Sequence, residues 1–221
     1  PNVDSGSIEA LRKTLHRDRV LYGAMMGLHP CSVKEGWEDE LSRIHDELLA
    51  NRADYLAIGE IGLDLYWEKD TLEMQQSALR TQFNWAIREN LPVSIHCREA
   101  FDPLFEVLEE FVGKGLNGVL HCFTGDRKQA ERCLTLGLHL GIGGVVTFKN
   151  GGLDHALPGL PITKMVLETD APYLAPKPYR GKRNEPAYLK FIAARLAEVM
   201  NLSPEDVISQ TSRNAVKLYG I

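Results

Sequence analysis

Short apolar runs alternate with longer amphipathic stretches along the whole chain. Each run is brief and continuously apolar, a pattern typical of strands that are buried on both faces. The predicted strands are residues 20–28, 55–63, 92–97, 117–123, 138–146 and 164–169. Between the runs, apolar side chains recur every three to four residues, the period of an amphipathic helix. The predicted helices are residues 36–50, 71–90, 99–115, 126–137 and 185–200, with one or two short helices in 201–221.

The alternation of buried strands and helices predicts a parallel sheet with helices outside it. An open, doubly wound sheet would carry a glycine-rich phosphate loop after an early strand, and the sequence contains neither GxGxxG nor GxxxxGK[ST]. The pattern therefore favours a TIM-type (β/α)8 barrel, formed as a single domain by residues 1–221.

The beginning of the chain also bears on this fold. It reads PNVDSGSIEAL, without a methionine, and NV resembles the end of a strand that a helix follows directly. With NV as the stub of a seventh strand, an eighth strand would lie before residue 1. We therefore expect the first strand and helix of the barrel to precede this sequence.

Composition narrows the range of functions. The chain has 221 residues, 44% of them hydrophobic, and a formal net charge of −5, so it lacks the basic excess of a dedicated nucleic-acid-binding module. No apolar run is long enough for a membrane span, and no signal segment opens the chain. The four cysteines show no CxxC spacing, which favours a reducing cytoplasm over a disulfide framework; they are Cys31, Cys97, Cys122 and Cys133.

Polar side chains stand at the ends of several predicted strands, where barrel enzymes place their chemistry. They are His29, Glu60, Asp64, His96, Arg98, His121, Lys149 and Asp170. Buried unpaired charges are costly, and a bound cation commonly offsets converging carboxylates and imidazoles. Histidine and carboxylate ligands suit Zn²⁺, Mn²⁺ or Fe²⁺ better than a Ca²⁺ cage.

Two of the predicted strands end in the dipeptide His-Cys, at 96–97 and 121–122. Successive side chains of a strand point to opposite faces. If His96 and His121 face the barrel mouth, Cys97 and Cys122 face the helices. We therefore expect the two cysteines to be small core residues and not ligands or nucleophiles.

A basic segment follows the last predicted strand. Residues 168–186 are rich in proline and glycine, which excludes regular structure, and they contain Lys177, Arg180, Lys182 and Arg183. The segment is either a solvated loop or part of a phosphate site. Its position favours the second interpretation, because barrels often bind phosphate with the loops after their last strands.

These motifs together resemble the TatD family of metal-dependent deoxyribonucleases, within the amidohydrolase-like barrels. The resemblance covers nearly the whole chain and is carried, in order, by GLHP, IGEIGLD, SIHCRE, LHCFTG, GGVVTFKN, LETDAPYLAP and RGKRNEP. It implies two divalent metal ions, Zn²⁺, Mg²⁺ or Mn²⁺. Glu60 would bridge the ions, His96 and His121 would hold one, and Asp170 would hold the other beside the nucleophilic water.

The resemblance also implies a substrate and the residues that bind it. The expected reaction is hydrolysis of a phosphodiester bond of DNA from a strand end, with Asp170 accepting a proton from the water. Glu168 is interpreted as structural. The residues expected to grip the phosphate and its neighbours are His29, Arg98, Lys149, Arg180, Lys182 and Asn184. Such contacts read the backbone, so little sequence specificity is expected.

One family feature is missing, and it leaves alternatives open. Family members begin with a strand that ends in His-x-His, which this sequence does not contain. Either that strand precedes residue 1, or the protein is a degenerate barrel that binds a partner without catalysis. A third hypothesis is an amidohydrolase-like enzyme that cleaves an ester, a lactone or the aminoacyl ester of tRNA, since one barrel hosts many chemistries. The sequence leaves the oligomeric state open, a monomer included.

Overall fold

The computed structural model describes residues 1–15 and 23–221. The chain divides into two compact units, which are unit 1 (Pro1–Gly118) and unit 2 (Val119–Ile221). The prediction that residues 1–221 form one domain stays a prediction. Residues 20–22 of the first predicted strand lie outside the described residues. Among the described residues, no helix combines the length and the apolar character that a membrane crossing needs.

Parallel strands alternate with helices in unit 1. In chain order the elements are α1 (Ile8–Leu15), β1 (Ala24–Met26), α2 (Trp37–Ala50), β2 (Tyr55–Asp64), α3 (Leu72–Glu89), β3 (Val93–Arg98) and α4 (Phe101–Glu109). β2 pairs in parallel with β1 on one side and with β3 on the other. The carboxyl ends of β1, β2 and β3 therefore lie at the same edge of the sheet.

The same alternation continues in unit 2, which the chain enters within β4. The elements are β4 (Gly118–Leu120), α5 (Arg127–Thr135), β5 (His139–Ile142), α6 (Leu153–Ala156), β6 (Met165–Leu167), α7 (Leu189–Met200) and α8 (Pro204–Tyr219). β5 pairs in parallel with β4 and with β6. This order of parallel strands and helices is the one that the hydrophobic pattern predicts.

The interior of unit 1 forms where α3 packs on β2. Ile58, Ile61 and Leu63 of β2 and Leu79 and Phe83 of α3 are all 0% exposed. Complete burial of an aliphatic or aromatic side chain contributes about 1.5–3 kcal/mol to folding. This contact fixes β2, which carries Glu60 and ends at Asp64.

Several helix ends follow the local chemistry of the sequence. At the start of α5, the Asp126 side chain accepts the N–H of Gln129, and the Gln129 side chain accepts the N–H of Asp126, each at 2.8 Å. This reciprocal capping satisfies two N–H groups that the helix itself leaves without partners. Gly137 ends the segment with a φ of 88°, the left-handed conformation that glycine adopts readily.

Three predicted elements extend too far. The helix predicted at 99–115 ends as α4 at Glu109 and continues as turns. The strand predicted at 138–146 ends at Ile142 and is followed by a 3-10 helix, Gly144–Thr147. A side chain at Gly144 would bring Cβ to 2.0 Å from the Leu174 carbonyl oxygen, so the loop after β6 lies directly against this segment.

The third correction concerns the second His-Cys pair. The strand predicted at 117–123 ends at Leu120, and His121 and Cys122 form a turn in which Cys122 has a φ of 45°. The inference that Cys122 opposes His121 by strand alternation is therefore wrong. Cys97, by contrast, lies within β3, where it is partly exposed.

The segment NV is not a strand, but its backbone is paired. The N–H of Asn2 donates to the Met25 carbonyl at 2.9 Å, and the Val3 carbonyl accepts the N–H of His29 at 2.9 Å. The buried Asn2 side chain also donates to the Gly27 carbonyl at 2.9 Å. The stub therefore runs beside β1 and fixes the backbone on which His29 stands.

Two buried glutamines of α3 hold the ends of β1 and β2. Gln82, which is 1% exposed, accepts the N–H of Leu28 at 2.7 Å and donates to its carbonyl at 3.3 Å. Gln75, which is 0% exposed, accepts the N–H of Asp64 at 2.8 Å and donates to its carbonyl at 3.1 Å. Seven residues apart, the two side chains project from the same helix face. They satisfy backbone groups at positions where strand pairing ends.

We predict that Gln82→Ala lowers the free energy of unfolding by about 2–4 kcal/mol, because it leaves the buried N–H and carbonyl of Leu28 without their side-chain partner. Urea denaturation measures this change. Asn84→Ala is the matched control, since the Asn84 side chain is exposed and donates to the Arg80 carbonyl of its own helix. Equal effects of the two substitutions would contradict the role given to Gln82.

Candidate metal centre

The ends of β1, β2 and β3 bring together a carboxylate and two imidazoles. Ligand atoms of His29, Glu60 and His96 all lie within 4.8 Å of one another. The three side chains are between 16% and 18% exposed, so they are partly buried but still accessible to solvent. Glu60 and His96 were predicted as metal ligands, and His29 as a substrate-binding residue.

Close approach of β2 and β3 depends on Gly62. This residue has a φ of 147°, and a Cβ added to it would lie 1.9 Å from the His96 carbonyl oxygen. Only glycine accepts both this backbone conformation and this proximity. The glycine within the IGEIGLD motif therefore allows Glu60 and His96 to meet.

The His96 ring is held from both sides by carboxylates. Its Nε2 lies 2.9 Å from Asp64 Oδ2, and its Nδ1 lies 3.1 Å from Glu60 Oε1. The Asp64 side chain is 1% exposed, so the shorter contact is also the more deeply buried one. A neutral imidazole carries one proton, and we assign it to Nε2, which then donates to the more deeply buried carboxylate of Asp64. Nδ1 then directs its lone pair towards Glu60.

A lone pair and a carboxylate at this distance require a positive charge between them, from a proton or a cation. A metal-ligating histidine typically donates its other ring N–H to a carboxylate, as His96 does to Asp64. The donor set of Glu60 Oε1 and His96 Nδ1 therefore fits a divalent metal ion of the Zn²⁺ or Mn²⁺ type.

Asp64 remains ionised across the physiological pH range. Burial alone would raise its pKa, but the hydrogen bonds from His96 and from the backbone N–H groups of Trp67 and Tyr66 lower the pKa to about 2. The sequence places Asp64 among the strand-end carboxylates but assigns it no role. Its role in space is to orient His96.

His29 shares the cluster but offers a proton instead of a lone pair. Its Nδ1 accepts the N–H of Cys31 at 3.2 Å, which leaves the proton of a neutral ring on Nε2. His29 Nε2 lies 3.4 Å from Glu60 Oε1. This tautomer suits a hydrogen-bond donor to an anionic oxygen better than a metal ligand, and the substrate-binding role of His29 stays a prediction.

Unit 2 holds a second histidine–carboxylate pair. His121 Nδ1 lies 3.1 Å from Glu168 Oε1, which also accepts the N–H of Cys122 at 2.7 Å. Gly141 of β5 makes room for this carboxylate, since a Cβ there would lie 2.4 Å from Glu168 Oε2. The contact places the Glu168 carboxylate at Nδ1 of His121, as a carboxylate typically holds one ring nitrogen of a metal-ligating histidine. Glu168, interpreted as structural from the sequence, thus positions His121.

The predicted ligand set divides between the units. Glu60 and His96 belong to unit 1, and His121 and Asp170 belong to unit 2. Asp170 follows β6, is partly buried and has a φ of 52°. That all four residues hold metal ions stays a prediction.

The basic side chains predicted to bind phosphate in unit 2 lie on the loops after β5 and β6. Lys149 and Lys177 line one cavity of about 460 Å³. The Arg180 guanidinium carbon lies 4.4 Å from the centre of the Phe148 ring, so the loop after β6 contacts the loop after β5. Lys182 is exposed.

Asn184 has a different environment from the one expected of a substrate-binding residue. It is 2% exposed, and its side-chain nitrogen donates to the carbonyl oxygens of Thr169 and Tyr173, at 2.5 and 2.6 Å. Its side-chain oxygen accepts the N–H of Glu185 at 2.9 Å. These bonds hold the irregular loop of residues 169–184 in shape, a structural role that the sequence alone did not indicate.

Comparison with known proteins places this geometry in context. The family described as "TatD related DNase" matches residues 1–220. The "uncharacterized metal-dependent hydrolase YabD" of Bacillus subtilis is 37% identical over 199 residues, covering 90% of this chain and 77% of YabD. The "3'-5' ssDNA/RNA exonuclease TatD" of Citrobacter rodentium is 38% identical over 201 residues, covering 88% of this chain and 76% of that enzyme.

A solved structure extends the likeness to three dimensions. The crystal structure of YJJV, a TatD homologue from Escherichia coli K12, matches with a TM-score of 0.91 and 28% identity, over 100% of this chain and 85% of YJJV. This likeness, together with the parallel strands and alternating helices, confirms the predicted fold class, the TIM-type α/β barrel.

We predict that Gly62→Ala disrupts the cluster, because the added methyl group forces β2 away from the His96 carbonyl. The expected result is a loss of more than about 3 kcal/mol in unfolding free energy, with at least about tenfold weaker zinc binding in isothermal titration.

Gly36→Ala is the control for this substitution. Gly36 also has a positive φ, of 83°, but a Cβ there meets no atom within 4 Å. Its replacement should cost only the backbone strain of about 1 kcal/mol. If Gly36→Ala and Gly62→Ala had the same effect, the contact with His96 would not be the reason for glycine at position 62.

Proposed function

Because the chain belongs to the TatD-related DNase family of metal-dependent hydrolases, we propose that it hydrolyses phosphodiester bonds of single-stranded DNA from a strand end. The observation that carries the proposal is the Glu60–His96 pair, 3.1 Å apart, with His96 oriented by Asp64. The named activity of the Citrobacter rodentium relative supports the choice of substrate. The family relationship supports hydrolysis of an ester bond. What we propose beyond it for this chain is that the substrate is DNA and that cleavage proceeds from a strand end.

We propose two divalent metal ions, held by Glu60, His96, His121 and Asp170. Their donor atoms would be the Glu60 carboxylate, Nδ1 of His96 and Nε2 of His121, because Asp64 and Glu168 occupy the other ring nitrogens. Such ions, when bound, lower the pKa of a water and stabilise negative charge on phosphoryl oxygens.

The protein's own residues have three tasks in this reaction. The Asp170 carboxylate orients the attacking water and accepts its proton. The Nε2–H group of His29 donates a hydrogen bond to a non-bridging phosphate oxygen, because Nδ1 already accepts the N–H of Cys31. Arg98, at the end of β3, offers a planar group of N–H donors to the same phosphate.

Lys149, Arg180 and Lys182 are proposed to bind the phosphates that flank the scissile bond. The supporting observation is that Arg180, in the loop after β6, lies over the ring of Phe148, which precedes Lys149 in the loop after β5. Phosphate contacts of this kind position the strand without reading its bases. Asn184 supports the loop from within.

The first prediction concerns the ligands. His96→Ala and His121→Ala should each reduce the metal content of the full-length protein, measured by elemental analysis, and lower cleavage of single-stranded DNA at least about a hundredfold, since each removes a ligand and not an outer contact. His155→Ala is the control, because the His155 side chain is 91% exposed. Unchanged metal content in the first two variants would contradict the ligand assignment.

The second prediction concerns the basic loop. Arg180→Ala and Lys182→Ala should weaken cleavage of single-stranded DNA. They should also make DNA binding less dependent on salt: the slope of log K against log [salt], where K is the association constant for the single strand, should fall by about 0.7 for each lost phosphate contact. Hydrolysis of a small neutral ester should persist, and Lys128→Ala, an exposed lysine of α5, should change neither activity. Loss of both activities together would contradict the phosphate-binding role and favour an effect on the fold.

A further inference from the structure

Two large aromatic side chains stand exposed at the turn after β2. Tyr66 is 42% exposed and Trp67 is 64% exposed, although aromatic side chains gain most when they are buried. Their rings form an edge-to-face pair with centroids 4.7 Å apart. Adjacent exposed aromatic rings of this kind mark binding surfaces more often than a single exposed apolar residue does.

The turn that carries them is anchored firmly. Asp64 Oδ1 accepts the N–H of Tyr66 at 2.9 Å and the N–H of Trp67 at 2.8 Å. The N–H of Leu65 donates to the Arg98 carbonyl at 2.9 Å, and Gln75 of α3 holds the Asp64 backbone. The rings are therefore presented on a preformed backbone and not on a loose loop.

Arg98 adds a cation to the pair. Its guanidinium carbon lies 3.9 Å from the centre of the Tyr66 ring and 5.5 Å from the centre of the Trp67 ring. Stacking on Tyr66 fixes the guanidinium plane. The acidic neighbour Glu68 is paired with Lys34 at 3.5 Å, which offsets its negative charge. An aromatic surface beside a fixed arginine suits a ligand that combines a flat ring with an anion.

The surface is joined to the candidate metal centre through one residue. Asp64 holds the Tyr66–Trp67 turn with Oδ1 and His96 with Oδ2. Arg98 follows His96 by two residues in β3. A nucleotide whose phosphate lies beside Glu60 and His96 would therefore place a neighbouring base within reach of the rings.

We propose that Tyr66, Trp67 and Arg98 form a stacking subsite for an unpaired nucleobase adjacent to the scissile phosphate. This inference rests on the proposed function and adds a reason for strand selectivity. A base within a duplex already stacks on its neighbours, whereas a base of a single strand is free to stack on Trp67. The subsite accepts every base, since each has a flat face.

The test compares Trp67→Ala, Trp67→Phe and Leu49→Ala in the full-length, metal-loaded protein. Leu49 is a control for loss of an exposed apolar side chain, at 49% exposure on α2. Trp67→Ala should raise KM for single-stranded DNA about 5- to 150-fold, the range for removal of a base-stacking aromatic side chain. Trp67→Phe should restore most of the affinity, and Leu49→Ala should match the wild type.

A second substrate identifies the stacked base. An oligonucleotide with an abasic site next to the scissile bond should raise KM for the wild type and have little further effect on Trp67→Ala, because both changes remove the same contact. The proposal is overturned if Trp67→Ala leaves KM unchanged. It is also overturned if the variant and the abasic substrate have additive effects, which would place the base elsewhere.

A failure of the proposed function can be distinguished from a failure of the stacking subsite. If the metal-loaded wild type cleaves no DNA, that function is wrong, and the subsite is then decided by binding alone. Fluorescence anisotropy with a labelled phosphorothioate single strand should still show the 5- to 150-fold loss for Trp67→Ala. Equal binding by Trp67→Ala and wild type would overturn the subsite independently of catalysis.

Discussion

The hydrogen bond between Asp64 and His96 is the interaction on which the candidate site of unit 1 depends. It joins a carboxylate that is 1% exposed to an imidazole that is 18% exposed, at 2.9 Å. A buried carboxylate can stay charged only when several donors satisfy it, and the donors to Asp64 include His96 and the N–H groups of Tyr66 and Trp67. By accepting a hydrogen bond from the N–H of Nε2, Asp64 turns the lone pair of Nδ1 towards Glu60.

The surrounding fold keeps this bond in place through polar contacts as much as through apolar packing. Gln75 and Gln82 of α3 bond to the backbone of Asp64 and Leu28, and Gly62 lets β2 approach the His96 carbonyl. Satisfied buried polar groups of this kind restrict a structure to one arrangement, because any shift leaves a donor or acceptor without a partner. Unit 2 contains a similar arrangement. Glu168 orients His121, and the missing side chain of Gly141 leaves the space that the Glu168 carboxylate occupies.

The sequence predicted the fold class correctly because buried parallel strands require continuous apolar runs, and polar residues at the ends of such runs stand out as candidate site residues. The sequence could not predict that β4 ends at Leu120 and β5 at Ile142. Contacts with residues that are distant in the chain, such as that of the Leu174 carbonyl with Gly144, decide where these strands end. The sequence pattern does not reveal the buried glutamines of α3, because a glutamine between the apolar positions of a helix usually lies at the surface. The roles of Asp64, Glu168 and Asn184 depend on partners that are 15 to 47 residues away in the chain.

The most direct test of the orienting role of Asp64 is a crystal structure of the full-length protein loaded with zinc, with the ion located by its anomalous scattering. The account predicts that the ion lies on Nδ1 of His96 and on the Glu60 carboxylate, while Nε2 of His96 remains hydrogen-bonded to Asp64. An ion on Nε2 of His96, with Asp64 displaced or itself a ligand, would contradict it.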